Sequence, residues 1–372
     1  MKIQGNHAPR RILIVKLSAI GDVVQTLPMV EALKANFPEA SIDWVVEEEA
    51  RDLLEGHFAL RRVILCPRKS WLKRFREGRH RFRLIREIGE FLRDLRKTQY
   101  DWIIDNQGLL KSGIIVGLSR GRRKIGFQAT EGIADEGNYL FTRERYPPLS
   151  IERHALERYV DLVAQLGVSV GAIRLRFPVD EKIQRRVREM LRQGGWSDQP
   201  LVVIHPLAKW KTKNWPPENF THLAQNLAGA GVWLVFTGSK EDGPAIQGML
   251  SPLHDPKGIQ NWAGKTTLKE LAALFSLADL VLSTDTGPMH LAAATQAPVI
   301  ALFGPTAPWR TGPYGDGHSV IRRDLPCSPC FQKFCPTMEC MKSITVDEVQ
   351  RLIERKLSSR GLGLGGPKEK PG

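Results

Sequence analysis

The chain alternates between short, nearly all-apolar runs and longer stretches whose apolar positions recur every three or four residues. The runs fall at 12–15, 41–46, 62–65, 102–105, 201–205, 232–236, 280–283 and 299–303. Strands apolar on both faces and separated by helices belong to parallel sheets covered on both sides, so the pattern predicts an α/β protein. The alternation pauses after Gly167, passes through Pro178 and restarts at Leu201. Two doubly wound, Rossmann-like domains are therefore expected, 1–178 and 179–343. The length of 372 residues agrees, since a single core rarely grows beyond about 250–300 residues. A helix over 344–357 follows and is free to return to the first domain. The end, 358–372, rich in Gly, Pro and Lys, reads as a disordered tail.

Two strand-to-helix turns gather chemistry. The first strand runs into Lys16-Leu17-Ser18-Ala19-Ile20-Gly21-Asp22, with a helix predicted from Val23. Strand 280–282 runs into Ser283-Thr284-Asp285-Thr286-Gly287-Pro288-Met289-His290. Unpaired backbone N–H groups at the head of that second helix suit an anionic leaving group. One such turn in each half predicts a cleft between the domains. Neither turn carries G-x-G-x-x-G or G-x-x-x-x-G-K-[ST], which argues against nicotinamide and P-loop chemistry.

Each candidate residue has a plain alternative. Asp22 at a helix start caps N–H groups, or it removes a proton from an attacking hydroxyl. The dipole that favours its carboxylate also weakens it as a base, but a sugar hydroxyl becomes acidic as its new bond forms. Asp285 is a cap or a ligand group, and His290 lies one helical turn beyond Thr286, so both can face one ligand. Lys213, on a polar loop after strand 201–205, is solvated or neutralises a departing diphosphate without a metal. Glu241 follows strand 232–236 and is a surface charge or an acceptor for a ribose diol.

Charge changes the picture in one place. The net charge is +14, and between Arg61 and Lys97 there are 14 Lys or Arg against four acids, Glu77, Glu87, Glu90 and Asp94. Phe82, Ile85, Leu92 and Leu95 recur near helical spacing while Arg83, Arg86, Arg93 and Arg96 fall elsewhere. A helix with an apolar seam and a basic face is predicted, suited to an anionic partner: nucleic acid, lipid headgroups or an acidic substrate. No nucleic-acid recognition motif accompanies it. The N-terminus is too polar for a secretory signal, and no stretch of ~18 uncharged residues could span a bilayer, so a cytoplasmic chain is expected.

Four of the five cysteines form Cys327-x2-Cys330-x4-Cys335-x4-Cys340. In such a chain they are reduced thiols or a structural metal site, and the spacing suits neither a zinc ribbon nor a ferredoxin. Cys66 stands alone and reads as a buried small hydrophobe.

The chain resembles the lipopolysaccharide heptosyltransferases of glycosyltransferase family 9. The similarity runs through Lys16, Ser18 to Val23, Thr26-Leu27-Pro28, Asp43 to Glu48, Tyr100-Asp101, Asp105, Gln107-Gly108-Leu109, Lys111-Ser112, Lys213, Trp215-Pro216, Asp285-Thr286-Gly287, His290-Leu291 and Gly304-Pro305-Thr306. It is nearest to the branch that adds the first heptose. The resemblance implies a GT-B fold, with the acceptor held by the first domain and the nucleotide sugar by the second. It implies inverting transfer of L-glycero-D-manno-heptose from ADP-heptose to the Kdo of Kdo2-lipid A, with no cofactor and no metal. Asp22 matches the base. Lys213, Thr286, Gly287 and His290 match positions near the donor phosphates, Asp285 one near the heptose, Glu241 one at the ribose and Thr266 one at the adenine. Arg83 and Arg86, on the basic helix, are expected to attract the acceptor at the cytoplasmic face of an anionic inner membrane, with no nucleic acid and no obligate protein partner. Two departures stand out: the cysteine cluster resembles other branches of the family, and Leu207-Ala208-Lys209 replaces a pair of threonines before Lys213. The alternatives are the branch that adds the second heptose, another family 9 transfer, or a basic nucleic-acid-binding protein.

Overall fold

A computed structural model describes residues 8–78, 81–134, 136–253 and 257–362. The chain divides between Arg174 and Leu175 into two units, each with its own sheet. In the first unit β1 (Arg11–Val15), β2 (Ser41–Val46), β3 (Arg62–Leu65), β4 (Tyr100–Asp105), β5 (Gly121–Phe127) and β6 (Glu144–Tyr146) pair in the order β3-β2-β1-β4-β5-β6. In the second, β7 (Leu201–His205), β8 (Trp233–Phe236), β9 (Ile259–Asn261), β10 (Leu280–Thr284), β11 (Val299–Phe303) and β12 (Ser319–Arg322) pair in the order β12-β11-β10-β7-β8-β9. Neighbouring strands are parallel throughout both sheets.

The eight strands read from apolar runs are present. Four others, β5, β6, β9 and β12, carry charged or polar residues because they lie toward or at the sheet edges, where one side is not covered. Their alternation was too weak to announce a buried strand.

Both sheets are doubly wound. The chain lays down β1, β2 and β3 in one direction and then places β4 on the other side of β1; β7, β8, β9 and β10 repeat the scheme. Each sheet thus has a switch point where loops leave in opposite directions, the usual seat of a ligand in such sheets. Register sets the edges level there, with Val15 opposite Asp105 and Ser283 opposite His205.

Apolar packing holds these edges in place. Leu13, Val15, Val45 and Ile103 pack with Phe91, Leu95, Ile115, Val116 and the buried Cys66. In the second unit Val202, Ile204, Leu280, Leu282, Ile300 and Leu302 pack with Phe220, Leu223 and Leu227. The helix Val346–Ser358, expected to be free to return to the first domain, packs instead in the second unit: Val349, Ile353 and Leu357 are fully buried in that core, spaced for one helical face. The final glycine- and lysine-rich segment from 363 onward lies outside the described residues.

The helix Arg81–Arg96 differs from its expected seam. Leu84, Phe91 and Leu95 are the buried positions, whereas Phe82 and Ile85 are 92% and 68% exposed. At 100° per residue the outward face carries Phe82, Ile85, Arg86, Arg93 and Arg96, while Glu87, Glu90 and Asp94 share one flank. The seam was misread because two of its apolar residues lie on the solvent side with the arginines.

Candidate active site

In the first unit a candidate site forms at the switch point of the β1 sheet. The helix Ile20–Asn36 begins four residues after β1, and Asp22 is its third residue. Its Oδ2 accepts the Ala19 N–H at 3.1 Å, closing the first turn, so the capping expected of it is real. Its Oδ1 accepts the Tyr159 hydroxyl at 2.7 Å. Tyr159 comes from the helix Ala155–Ala164, packed along Ile20–Asn36. Both oxygens are thus oriented, yet the side chain remains about a third exposed.

Beneath it lies Lys16, fully buried. Its ammonium is 4.0 Å from Asp22 Oδ1, donates to the Asn106 carbonyl at 2.9 Å and sits 3.9 Å from the Tyr159 ring centre. Burial pulls its pKa down to about 8 against the opposing pull of Asp22 and Asp105. Burial also raises Tyr159 well above the usual phenol range, with Asp22 adding to it, so the hydroxyl stays a donor.

Loops after β2 and β4 complete this group of residues. Gln107 Oε1 accepts the N–H groups of Leu17 and Ser18 at 3.0 and 3.2 Å, fixing the turn. Lys111 donates to Ser18 Oγ at 2.6 Å and lies 3.7 Å from the buried Glu47, which also pairs with Arg68 and Lys69. Desolvation lowers the Lys111 pKa. Lys16 thus lies beneath Asp22, while Arg68, Lys69 and Lys111 gather on Glu47. Arg83 and Arg86 are both exposed and pair with Glu87 and Glu90 one turn on, Arg83 on the acidic flank and Arg86 on the outward face.

In the second unit a separate candidate site forms at the switch point between β7 and β10. Asp285 follows β10, and its Oδ2 receives the Lys213 ammonium and the Thr306 hydroxyl, each at 2.6 Å. Lys213 ends the short helical turn Lys211–Lys213 after β7, and Thr306 follows β11. The Lys213 ammonium also lies 4.7 Å from the Trp210 ring centre. Thr286 caps the helix Gly287–Ala294 in extended conformation without a side-chain hydrogen bond. The donor set at this helix head is smaller than the sequence implies. Pro288 has no N–H and the Met289 N–H is spent on the Thr286 carbonyl at 3.1 Å, leaving those of Thr286 and Gly287 at the turn. His290 is buried in the same helix.

Glu241 and Thr266 occupy the next turns along the same edge, after β8 and β9. Glu241 is exposed and Thr266 half-buried. The two turns are tied where the Gly264 N–H donates to the Gly238 carbonyl at 2.9 Å. Gly264 has a φ of +70°, and a Cβ there would lie 2.8 Å from Lys240 Cα, so glycine is required for this approach. His205, at the end of β7, shares a 3.0 Å contact with the Thr237 hydroxyl and is held neutral, its pKa pulled to about 4 by burial.

Among the described residues no group of three or more His, Cys, Asp or Glu side chains is placed to hold a metal ion. All five cysteines are free. The four thiols nonetheless gather, for burial and then Cys330, Cys335 and Cys327 push the Cys340 thiol up.

The structure joins Lys213 directly to Asp285 and sets Thr286, Gly287 and His290 on the following helix, with Glu241 and Thr266 farther along the edge. Sequence reasoning gave no role to Lys16, Gln107, Lys111, Glu47 or Thr306, although all lie in the segments that carry the resemblance. Tyr159 had no local signal, because it meets Asp22 from 137 residues away.

Two doubly wound units with charged turns at their switch points are the frame of a GT-B glycosyltransferase. The profile of glycosyltransferase family 9 (heptosyltransferase) matches residues 88–341, and the chain is 32% identical over 366 residues to lipopolysaccharide heptosyltransferase 1 of Pseudomonas aeruginosa, covering 94% of each. The chain belongs to glycosyltransferase family 9. Among solved structures it is similar to Escherichia coli heptosyltransferase WaaC with ADP, at a TM-score of 0.74 and 26% identity over 93% of this chain and 99% of that one. The same enzyme with ADP-2-deoxy-2-fluoro heptose gives a TM-score of 0.73 at 26% identity, with the same coverage of both chains.

Proposed function

We propose that the protein transfers L-glycero-D-manno-heptose from ADP-heptose to the Kdo of Kdo2-lipid A, with inversion at the anomeric carbon. The observation that carries this reading is the Lys213–Asp285–Thr306 cluster at the switch point of the second sheet. It offers one cation for a diphosphate beside one acid for a sugar hydroxyl. Similarity to an enzyme solved with an ADP-heptose analogue supports the donor, and similarity to a heptosyltransferase 1 supports the acceptor.

In this mechanism Asp22 takes the proton of the acceptor hydroxyl as its oxygen bonds to the anomeric carbon. The bond from that carbon to the diphosphate oxygen breaks on the opposite face, and ADP leaves with the electron pair. Tyr159 and the Ala19 N–H hold the carboxylate in register. Lys213, the N–H groups of Thr286 and Gly287, and His290 bind the phosphates; Lys213 takes the charge-stabilising part that a divalent ion plays in other transfers. Asp285 binds the heptose, Glu241 the ribose and Thr266 the adenine side.

Among the described residues no helix is long and apolar enough to cross a membrane. The lipid acceptor is met from the cytoplasmic face, with Arg83 and Arg86 drawing in its acidic groups.

The test is purified protein with ADP-heptose and Kdo2-lipid A, read by mass spectrometry, beside Asp22→Ala. The wild type adds one heptose. Asp22→Ala keeps ADP binding and loses about 10²–10⁴ in turnover, the usual range for a general base. Retained turnover would remove Asp22 from that role, and wild-type transfer only to an acceptor already carrying heptose would reassign the step.

A further inference from the structure

The segment 327–334, which carries the first two thiols of the cysteine cluster, lies across both walls of the second unit's candidate site. On one side the N–H groups of Cys330 and Phe331 converge on the Pro305 carbonyl at 3.0 and 2.8 Å. The Ser328 hydroxyl donates to the Gly304 carbonyl at 2.7 Å. Pro305 adjoins Thr306, whose hydroxyl holds Asp285. A Cβ at Gly304 would meet Met341 Sδ at 2.6 Å and Cys340 Sγ at 3.0 Å, so the strand end and the cysteine region are in close contact.

On the other side the buried Thr212 hydroxyl donates to the Gln332 carbonyl at 2.9 Å. Thr212 adjoins Lys213. Phe331, at φ 55° despite its bulk and with Arg310 4.7 Å from its ring centre, turns the chain between these two attachments. The turn also brings up Lys333, whose ammonium lies 5.1 Å from the Trp210 ring centre, the same ring that Lys213 approaches at 4.7 Å. One indole thus seats two ammonium groups.

We infer that this segment is part of the nucleotide-sugar site: the Gln332 carbonyl, through Thr212, positions the turn that carries Lys213, and Lys333 supplies a second ammonium to the donor diphosphate. Lys213 is already matched in charge by Asp285, so on its own it leaves a diphosphate largely uncompensated. A second cation on the same indole supplies that charge. The inference rests on the donor assignment made above.

The experiment measures binding of ADP, and of adenosine by competition, to wild type and Lys333→Gln, an exposed side chain whose change leaves the fold undisturbed. ADP affinity falls about five- to tenfold, in the range for one charge-assisted contact, while adenosine affinity is unchanged. Thr212→Val raises the KM for ADP-heptose and leaves that for the acceptor, and Thr212→Ser restores it. If wild type binds ADP and Lys333→Gln binds it as tightly, Lys333 has no part in the site and this inference falls while the donor assignment stands. Equal loss of ADP and adenosine also overturns it, since that reports a disturbed turn and not a lost phosphate contact. If wild type binds no ADP, the donor assignment itself fails.

Discussion

Asp22 has a structural part in its helix turn, and the proposed function gives it a chemical one. Closing a helix turn uses Oδ2, and the Tyr159 hydroxyl is held on Oδ1. The Lys16 ammonium beneath it is unusual in being buried without a carboxylate in hydrogen-bond range. Its proton is held less tightly in the folded chain than in the unfolded one, with a pKa of about 8 against an ordinary 10.5. Between those values the unfolded state binds more protons, so stability rises with pH; below about 8 the cost of burying the charge is present in full. Wild type should therefore gain about 3 kcal/mol relative to Lys16→Met from pH 8 to 10.5, measured as the difference in urea unfolding free energies. A flat difference across that window would mean that Lys16 is already neutral, or solvated, at pH 8. None of this was legible from the residue types. A lysine after a strand is usually a surface group, and only the fold brings Asn106, Tyr159 and Asp22 around it.

At the level of elements, the sequence was most readable where burial is two-sided. Central strands such as β1, β7, β10 and β11 are apolar at nearly every position because helices cover both faces. The edge strands β6 and β9 are three residues each and only partly buried, and their patterns are lost among loops. The helix Arg81–Arg96 was legible as a helix but not in its orientation. Spacing locates an apolar stripe, yet only packing decides which of two stripes meets the core, and Leu84 with Phe91 and Leu95 took that place. Arg83 and Arg86 are exposed beside their glutamate partners, and the proposed function gives them the part of drawing in an acidic acceptor. Replacing Arg83 and Arg86 with glutamate should raise the acceptor KM about tenfold or more, since each cation near an anionic surface contributes roughly 1 kcal/mol. The KM for ADP-heptose should not move. A donor effect without an acceptor effect would take this helix out of acceptor capture.

For the molecule as a whole, the family and the GT-B frame were visible in sequence because the turns that carry them are local: each is a strand end, a few polar residues and a helix start. The site's supporting contacts were not, since Thr306 to Asp285 and Lys213 to Asp285 span separate strands of one sheet. The proposed use of chain cations in place of a divalent ion makes a whole-enzyme prediction: EDTA leaves the rate of heptose transfer unchanged. Loss of turnover in chelator, with recovery on adding Mg²⁺, would overturn the metal-independent mechanism.

The Tyr159 contact has a further consequence for biogenesis. A ribosome that has released the first 150 residues has already emitted all six strands of the leading sheet, yet the phenol that fixes Asp22 is still to come. The final orientation of this carboxylate is therefore acquired late, when the helix Ala155–Ala164 docks, and a fragment stopped before it would keep the sheet's strands but hold Asp22 less firmly.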